Sequence, residues 1–140
     1  MTIKKKILIK NVSFGKNVTI IEPVNLYNCK IGNNCFIGPF VEIQEGSIIG
    51  DNTRIQSHSF ICSKVKIGKN CFIGHGVKFI NDKFLKNKIT KDKKKLLNTL
   101  VGNNVLIGSN STILPVAIKN NIVIGAGSVV TKDCKKNKGV

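Results

Sequence analysis

The 140-residue chain contains no tryptophan, a single tyrosine and only three prolines. Aromatic residues make up 6% of it, which excludes a core built around tryptophan and favours an aliphatic core. No apolar run approaches the ~18–20 residues that a membrane span needs. The basic residues near the start, at 4–6, are not followed by the apolar core of a signal peptide. The length suits one domain, so we expect a single cytoplasmic domain over residues 1–140 with no membrane span.

Acidic residues are also scarce, with seven Asp and Glu against 23 Lys and Arg, giving a formal charge of +16. Such a field attracts polyanions, among them nucleic acid, acidic membranes and phosphorylated ligands. Lys, Asn and Ile are all abundant, which a genome rich in A and T also explains, with the extra lysines on a solvated surface. No aromatic platform is interleaved with the lysines, so a nucleic-acid partner is not expected.

An unbroken repeat of six residues begins at Ile31. The aliphatic or aromatic positions of the repeat are Ile31, Ile37, Ile43, Ile49, Ile55, Ile61, Ile67, Ile73 and Phe79. Phe14, Ile20 and Leu26 extend it upstream, and Val101, Ile107, Ile113, Ile118, Ile124 and Val130 extend it downstream. Glycine often follows the aliphatic residue, where we expect it to adopt corner dihedrals that other residues resist. The fifth position is small or β-branched, as at Cys35, Val41, Ser47, Thr53 and Ser59.

This period matches neither a helix nor a simple hairpin ladder. A short strand with a tight turn every six residues fits it, three such units closing a triangular coil. Each aliphatic side chain then stacks on the equivalent residue of the next coil, about 4.8 Å along the axis. In these residues the chain resembles the hexapeptide-repeat acyltransferases, a family of left-handed parallel β-helices. We therefore predict an all-β, left-handed parallel β-helix of about six triangular coils.

The repeat is interrupted once, over residues 81–99. Seven residues of this stretch are lysine, and it also carries Phe84, Leu85, Ile89, Leu96 and Leu97. A loop this long in a compact fold is usually functional or disordered. A purely solvated loop would gain nothing from these apolar side chains. The family resemblance implies that the loop reaches across to the next subunit of a homotrimer.

The residues immediately before the loop, Phe79, Ile80, Asn81 and Asp82, resemble the Phe-x-Asn-Asp signature of nucleotide-sugar N-acetyltransferases. These enzymes acylate a 3-amino group on a nucleotide-linked deoxysugar. The resemblance implies that Asn81 and Asp82 orient the amine. Leu85 and Lys86 depart from the Pro-Arg that such proteins often carry, which leaves the identity of the sugar open.

The second half of the chain resembles the coils that bind acyl-CoA in this family. Ser109, Ala126, Thr131 and Lys132 match positions that the resemblance implies in binding acetyl-CoA. Lysine suits the nucleotide phosphates of CoA as a point charge, although a solvated terminal lysine is the alternative for Lys132. A short basic tail is expected over residues 132–140. It ends before the Gly-Asn-Pro-Ala-like segment that usually follows, which is expected to weaken CoA binding or leave the end frayed.

Only two histidines are present, His58 and His75, and both are candidate general bases. His58 follows Ile55 by three residues and His75 follows Ile73 by two, which predicts one corner on consecutive coils. A surface or interface role without catalysis is the alternative for each. An amine acceptor needs no strong base because positioning can carry the reaction, with His75 in reserve. A hydroxyl acceptor needs a general base to remove its proton. For such an acceptor, His75 would matter more than the positioning residues Asn81 and Asp82.

The five cysteines are predicted to be free thiols. Cys35 and Cys71 are two coils apart, which is about 10 Å along the axis and exceeds the reach of a disulfide. The other cysteines, Cys29, Cys62 and Cys134, lack the spacing of metal ligands. A carbonic anhydrase on this fold would need three zinc histidines, so no metal is expected.

Three functions remain open. The first is an acetyl-CoA-dependent N-acetyltransferase acting on a nucleotide-linked amino-deoxysugar of the dTDP-3-amino-3,6-dideoxyhexose type, for surface glycan biosynthesis. The second is a sugar O-acetyltransferase with a histidine base. The third is a non-catalytic β-helix subunit.

Overall fold

The computed structural model describes residues 1–2 and 8–136, in which nineteen short strands wind into a parallel β-helix. Residues 3–7, which include the basic start, lie outside the described residues. Residues 137–140, which are part of the predicted basic tail, also lie outside them. In chain order the strands are β1 (Ile9–Lys10), β2 (Ser13–Phe14), β3 (Thr19–Ile20), β4 (Asn25–Tyr27), β5 (Lys30–Ile31), β6 (Phe36–Ile37), β7 (Glu42–Ile43), β8 (Ile48–Ile49), β9 (Arg54–Ile55), β10 (Phe60–Ile61), β11 (Val65–Ile67), β12 (Phe72–Ile73), β13 (Lys78–Phe79), β14 (Thr99–Val101), β15 (Leu106–Ile107), β16 (Thr112–Ile113), β17 (Ala117–Ile118), β18 (Val123–Ile124) and β19 (Val129–Val130).

Every third strand joins the same sheet, so the helix has three flat faces. Face A has seven strands in the order β1-β4-β7-β10-β13-β16-β19. Face B has six strands, β2-β5-β8-β11-β14-β17, and face C has six, β3-β6-β9-β12-β15-β18. The strands pair in parallel, which confirms the predicted parallel β-helix with about six complete coils and a seventh begun.

The core is the predicted stack of aliphatic residues. On face C, Ile37 pairs with Ile55, which pairs in turn with Ile73, and all three are fully buried. Burying an isoleucine contributes roughly 1.5–3 kcal/mol, so this repeated burial is the main stabilising force. The stack loosens at the first coil, where Phe14 keeps its predicted register opposite Ile31 but is 40% exposed.

Small polar residues at the fifth position of the repeat bond to the coil above. The hydroxyl of Ser59 donates to the carbonyl of Gly74 at 2.7 Å, and that of Thr53 donates to Gly68 at 2.8 Å. The thiol of Cys35 makes the same contact with Gly50 at 3.1 Å. The fifth position therefore favours residues that are small and that can donate a hydrogen bond to a buried carbonyl group.

The glycines that follow the aliphatic residues are required for a different reason from the one predicted. The prediction that they adopt unusual dihedrals is wrong, because positive φ is found at Gly46, Gly76 and Gly127 instead. A Cβ on Gly50 would lie 2.5 Å from the carbonyl carbon of Gly68 on the next coil. Close approach of two backbones is what excludes a side chain here.

Asparagine occupies most of the left-handed corner positions. The turn between faces B and C places Asn17, Asn34, Asn52, Asn70, Asn104 and Asn121 at φ between 57° and 61°. Asparagine tolerates this region better than most residues. The residue before it bonds to the neighbouring coil, as when Asn103 Oδ1 accepts from the amide of Lys69 at 2.8 Å. The abundance of asparagine in the chain is thus partly structural.

The predicted excursion leaves the helix after β13 and returns at β14. It covers residues 80–98, because Thr99, placed in the loop by the sequence, is buried in β14. Two short 3-10 turns, Leu85–Asn87 and Lys93–Lys95, give it local structure. The Lys64 ammonium anchors it by donating to the carbonyls of Lys94 at 3.1 Å and Leu96 at 2.9 Å.

Candidate functional site

Four of the eight predicted site residues lie on one edge of the prism, the turn between faces C and A. We call this edge the histidine corner; its residues are Pro39, Phe40, Ser57, His58, His75, Gly76, Ser109, Asn110, Ala126 and Gly127. Backbone hydrogen bonds set its register, with Gly76 donating to Ser57 at 2.9 Å and Asn110 donating to His75 at 2.8 Å. His75 therefore stands directly above Ser57 and directly below Ser109, each about 4.8 Å away along the axis.

His75 is held on both sides by serine. Its ring Nδ1 lies 2.9 Å from the hydroxyl oxygen of Ser57. Its backbone amide donates to the hydroxyl of Ser109 at 3.2 Å. The imidazole is exposed, so its outer edge is open to a ligand. The flanking Gly74 and Gly76 leave room around it for the coil above.

His58 lies on the coil below, as predicted, but its surroundings differ. Its ring stacks on Phe40, with centroids 4.9 Å apart and planes inclined by 28°. Its carbonyl accepts a hydrogen bond from the ammonium of Lys78. The backbone of His58 is left-handed at φ 64°. His58 therefore lies against an aromatic ring, whereas His75 lies between two serines.

The other four predicted residues lie on the edge between faces A and B. We call this edge the loop corner; it includes Gln44, Glu45, Ser63, Lys64, Asn81, Asp82, Thr131 and Lys132. Asn81 ties both ends of the excursion to it. The Asn81 amide donates to Ser63 Oγ at 2.8 Å and to the Ser63 carbonyl at 3.2 Å, while the Asn81 carbonyl accepts from Leu97 at 2.9 Å.

Asp82 folds the mouth of the excursion. One carboxylate oxygen accepts from the Phe84 amide at 3.0 Å and the Thr90 hydroxyl at 2.8 Å, and the other accepts from the Thr90 amide at 2.8 Å. These bonds, the Thr90 amide first among them, hold the pKa of the Asp82 carboxyl below its ordinary value. A carboxylate has about four lone-pair sites, so one remains for a ligand.

A polar chain that the sequence analysis missed runs across the lower coils toward Asn81. Glu42 accepts from Asn25 at 3.0 Å and from Gln44 at 2.8 Å, and Gln44 in turn accepts from the Ser63 amide at 3.2 Å. Beside it lies a cavity of about 260 Å³ lined by Tyr27, Gln44, Glu45, Ser63, Asn81, Lys93 and Leu96. Coil arithmetic could have found it, because Ser63 and Asn81 occupy equivalent positions on consecutive coils.

Thr131 and Lys132 lie two coils above the excursion, at the upper end of the helix. Both are exposed and line a groove of about 360 Å³ together with Val129, Val130, Lys135 and Lys136 among others. The lysines give this groove a positive field suited to phosphate groups.

The structure therefore does not bring the predicted residues together within one chain. His75 and Asn81 belong to the same coil but stand on adjacent edges, separated by the width of face A. Six extended residues place them up to about 20 Å apart. The same division separates Ser109 and Ala126 from Thr131 and Lys132.

The cysteines belong to the core, and all five are free, as predicted. Burial raises the pKa of the Cys62 thiol to about 12 and that of Cys29 to about 11. They are therefore protonated and unsuited to nucleophilic catalysis. Across residues 1–2 and 8–136, no group of three His, Cys, Asp or Glu side chains converges as metal ligands. In the same residues, no helix has the length and hydropathy to cross a membrane.

Two family models match the chain. The bacterial transferase hexapeptide model (six repeats) covers residues 28–63, and the model of the hexapeptide repeat of succinyl-transferase covers 64–77 and 99–132. The unmatched stretch between the two parts of the second model contains β13 and the excursion. Together the two models account for more than half of the chain.

Curated relatives are longer than this chain. The bifunctional protein GlmU of Buchnera aphidicola subsp. Acyrthosiphon pisum is 31% identical over 136 residues, which cover 90% of this chain and 29% of the relative. The chain thus spans less than a third of the relative's length.

Solved structures share the fold. A hexapeptide transferase family protein from Anaplasma phagocytophilum superposes with a TM-score of 0.69 at 20% identity, over 88% of this chain and 68% of that one. A histidine-to-alanine mutant of GDP-perosamine N-acetyltransferase from Caulobacter crescentus, in complex with CoA and GDP-perosamine, gives 0.64 at 19% identity over 91% and 50%. With the six-residue repeat, the three parallel faces and both repeat models in agreement, the chain belongs to the hexapeptide-repeat transferase family.

Proposed function

We propose that this protein is an acetyl-CoA-dependent N-acetyltransferase that acts on the amino group of a nucleotide-linked amino-deoxysugar. The observation that carries the proposal is the histidine corner, where an exposed His75 stands directly below Ser109 and Ala126. A pantetheine arm lying along this edge would bring its thioester to the imidazole. The Caulobacter N-acetyltransferase with CoA and GDP-perosamine supports the same assignment of substrates.

The residues divide the task as follows. Ser109 and Ala126 border the pantetheine, and Thr131 and Lys132 meet the polar end of CoA, with Lys132 beside its phosphates. Asn81 and Asp82 orient the acceptor amine, using the lone pair that the loop leaves free on Asp82. Positioning of this kind supplies much of the rate enhancement of a bimolecular transfer.

The reaction balances without a metal or redox partner. The neutral amine attacks the thioester carbonyl and forms the new C–N bond. His75 or solvent removes the amine proton, the C–S bond breaks, and the CoA thiolate takes up a proton as it leaves. The products are an acetamido sugar and free CoA. A dTDP-linked 3-amino-3,6-dideoxyhexose is the first acceptor to test, with surface glycan synthesis as the expected use.

The division of the site between two edges supports a homotrimer. The excursion exposes Phe84, Leu85 and Ile89 at 61%, 64% and 73%, and the outward side of face C exposes Phe72 and Leu106 at 36% and 45%. Packing the excursion of one copy against its neighbour would cover these side chains and bring the two corners together. We expect the whole chain to sediment as a trimer. Replacing Phe84 and Ile89 by serine should dissociate it. A monomeric wild-type chain would contradict it.

An O-acetyltransferase is the second candidate, and one observation favours it. His75 is exposed and its Nδ1 lies 2.9 Å from the Ser57 hydroxyl oxygen, so a tautomer with the proton on Nδ1 would leave Nε2 free to activate a hydroxyl. The Asp82 site would then serve only to fold the excursion.

The test is CoA release from acetyl-CoA with nucleotide-linked 3-amino, 4-amino and hydroxyl sugars. The proposal expects turnover on an amino sugar that is lost when Asn81 and Asp82 are both replaced by alanine. The exposed Ser13 on face B supplies a matched control as Ser13→Ala. Turnover only on a hydroxyl sugar, abolished by His75→Ala, would favour the second candidate. No turnover together with no CoA binding would overturn both and leave a non-catalytic subunit.

A further inference from the structure

Ser57 is placed against His75 by the coil itself. The two residues occupy equivalent positions on consecutive coils, and the backbone of Ser57 accepts from the amide of Gly76, the residue after His75, at 2.9 Å. This pairing fixes both main chains at the histidine corner. The hydroxyl of Ser57 then lies 2.9 Å from Nδ1 of His75. The contact is therefore built into the repeat and does not depend on a mobile loop.

A neutral imidazole can act as a base only through the nitrogen that carries no proton. Which nitrogen that is depends on the hydrogen bond made by the other one. A serine hydroxyl can donate or accept a hydrogen bond, so the contact alone is compatible with either tautomer of His75. Only one tautomer leaves the outer nitrogen, Nε2, able to accept a proton. If Ser57 donated to Nδ1, the exposed Nε2 would carry the proton and could not accept another.

We propose that Ser57 is a positioning residue whose Oγ accepts the Nδ1–H of His75 and so directs an unprotonated Nε2 toward the acceptor. This inference rests on the proposed transferase function. Ser109 completes the arrangement from above, because its hydroxyl accepts the backbone amide of His75 at 3.2 Å. One serine fixes the ring and the other fixes the main chain that carries it.

The partner of the ring is neutral. Within residues 8–136, the side-chain hydrogen bond to the imidazole comes from Ser57, and no carboxylate bonds to it. A hydroxyl orients the ring without placing a counter-charge beside the imidazolium that forms when His75 takes a proton. The proton is then handed on readily to the leaving thiolate, which closes the cycle of the proposed reaction.

The tautomer can be measured without substrate. Long-range nitrogen–proton NMR spectra of the ¹⁵N-labelled whole chain at pH 8.5 distinguish Nδ1–H from Nε2–H. Only two histidines are present, and a His58→Asn variant, with a residue suited to the left-handed backbone there, identifies the His75 signals. The expected result is Nδ1–H in the wild type, a shift toward Nε2–H in Ser57→Ala, and retention of Nδ1–H in Ser57→Thr.

An Nε2–H tautomer in the wild type, or an unchanged tautomer in Ser57→Ala, would overturn the inference. Ser13→Ala serves as the control for loss of a hydroxyl elsewhere. Circular dichroism of each variant confirms that the fold is retained.

Activity provides the second readout. For an acceptor that depends on His75, Ser57→Ala should lower kcat roughly 10- to 100-fold with little change in KM, and Ser57→Thr should restore it. An unchanged kcat in Ser57→Ala, despite dependence on His75, would overturn the inference alone. Absence of turnover in the wild type would count against the proposed function, and the NMR result would still decide the tautomer.

Discussion

The hydroxyl of Ser59 donates a 2.7 Å hydrogen bond to the carbonyl of Gly74, the residue immediately before His75. Ser59 is buried, so its loss would leave that carbonyl without a partner. We expect Ser59→Ala to lower the free energy of unfolding by about 1–3 kcal/mol. Chemical denaturation of the purified variants measures it.

Ser59→Cys is the matched comparison, because Cys35 and Cys71 fill equivalent positions and donate to glycine carbonyls through sulfur at 3.1 Å. Ser59→Cys should lower the free energy of unfolding by less than Ser59→Ala does. Equal losses for the two variants would show that volume, and not the hydrogen bond, determines this position.

Gly74→Ala should be strongly destabilising. The added Cβ would lie 2.7 Å from the backbone nitrogen of Ser109 and 2.8 Å from the backbone oxygen of Ile107. Neither atom can move without opening the coil, so the cost should be about 1–3 kcal/mol or more. Thermal and denaturant unfolding of the variant measure it.

Gly46→Asn is the control for a substituted glycine. A Cβ there meets nothing within 4 Å, and asparagine accepts the φ of 79°. The expected change is within about 0.5 kcal/mol. Equal losses at the two sites would contradict the argument from close approach.

Asp82 should hold the excursion closed in its ionised form. Its pKa is lower in the folded protein than its ordinary value of 3.8, so its stabilisation is complete above that pH. The stabilisation is lost as the pH falls from 3.8 through the folded-state value. Hydrogen exchange at the Thr90 amide should therefore show opening of the loop at acidic pH while the coils stay protected.

Asp82→Asn should open the same loop at neutral pH. An asparagine has one acceptor oxygen, so its NH2 group would face the backbone N–H of either Thr90 or Phe84. Trypsin should then cleave the lysine-rich excursion roughly two- to fivefold faster, because cleavage follows the population of the open loop. Asp51→Asn is the control, since Asn103 and Asn120 make the equivalent contact elsewhere in the helix. Unchanged cleavage of Asp82→Asn would refute the folding role.

Thiol labelling should distinguish one cysteine from four. Burial raises the pKa of all five thiols, but Cys134 is only half-buried near the upper end, whereas Cys29, Cys35, Cys62 and Cys71 are buried. A thiol reagent at pH 8 should modify one thiol in the folded protein and all five in denaturant. Cys134→Ser should abolish the native-state reaction, and rapid reaction of further thiols would contradict the buried placement.

The sequence predicted the coils well because each one repeats the same physical requirement. An aliphatic side chain at every sixth position can be buried only by stacking on its equivalent in the next coil, and Ile37, Ile55 and Ile73 do so. The same arithmetic placed His58 and His75 on one edge. It could not give the reason for the glycines, because close approach is a property of two coils and a dihedral preference is a property of one residue.

The excursion was the part that the pattern could not describe. The sequence predicted where the excursion begins and that Asp82 lies at its start. The hydrogen bonds that Thr90 donates to Asp82 depend on a local conformation that no repeat encodes. The separation of Asn81 from His75 was implicit in the length of one repeat. Ser57 was equally accessible, one full coil before His75, yet a serine in a repeat rich in small residues carries no signal of its own.

The helix closes beneath the excursion as though no residues had been added. Ile67 pairs with Val101, beyond the excursion, in the same parallel register that joins Ile49 to Ile67 across an uninterrupted coil. The excursion therefore leaves the packing of the core unchanged, and the core provides most of the stability of the molecule. Segments of other lengths and compositions could replace it while every strand kept its neighbour, so this segment can diverge without any adjustment of the scaffold.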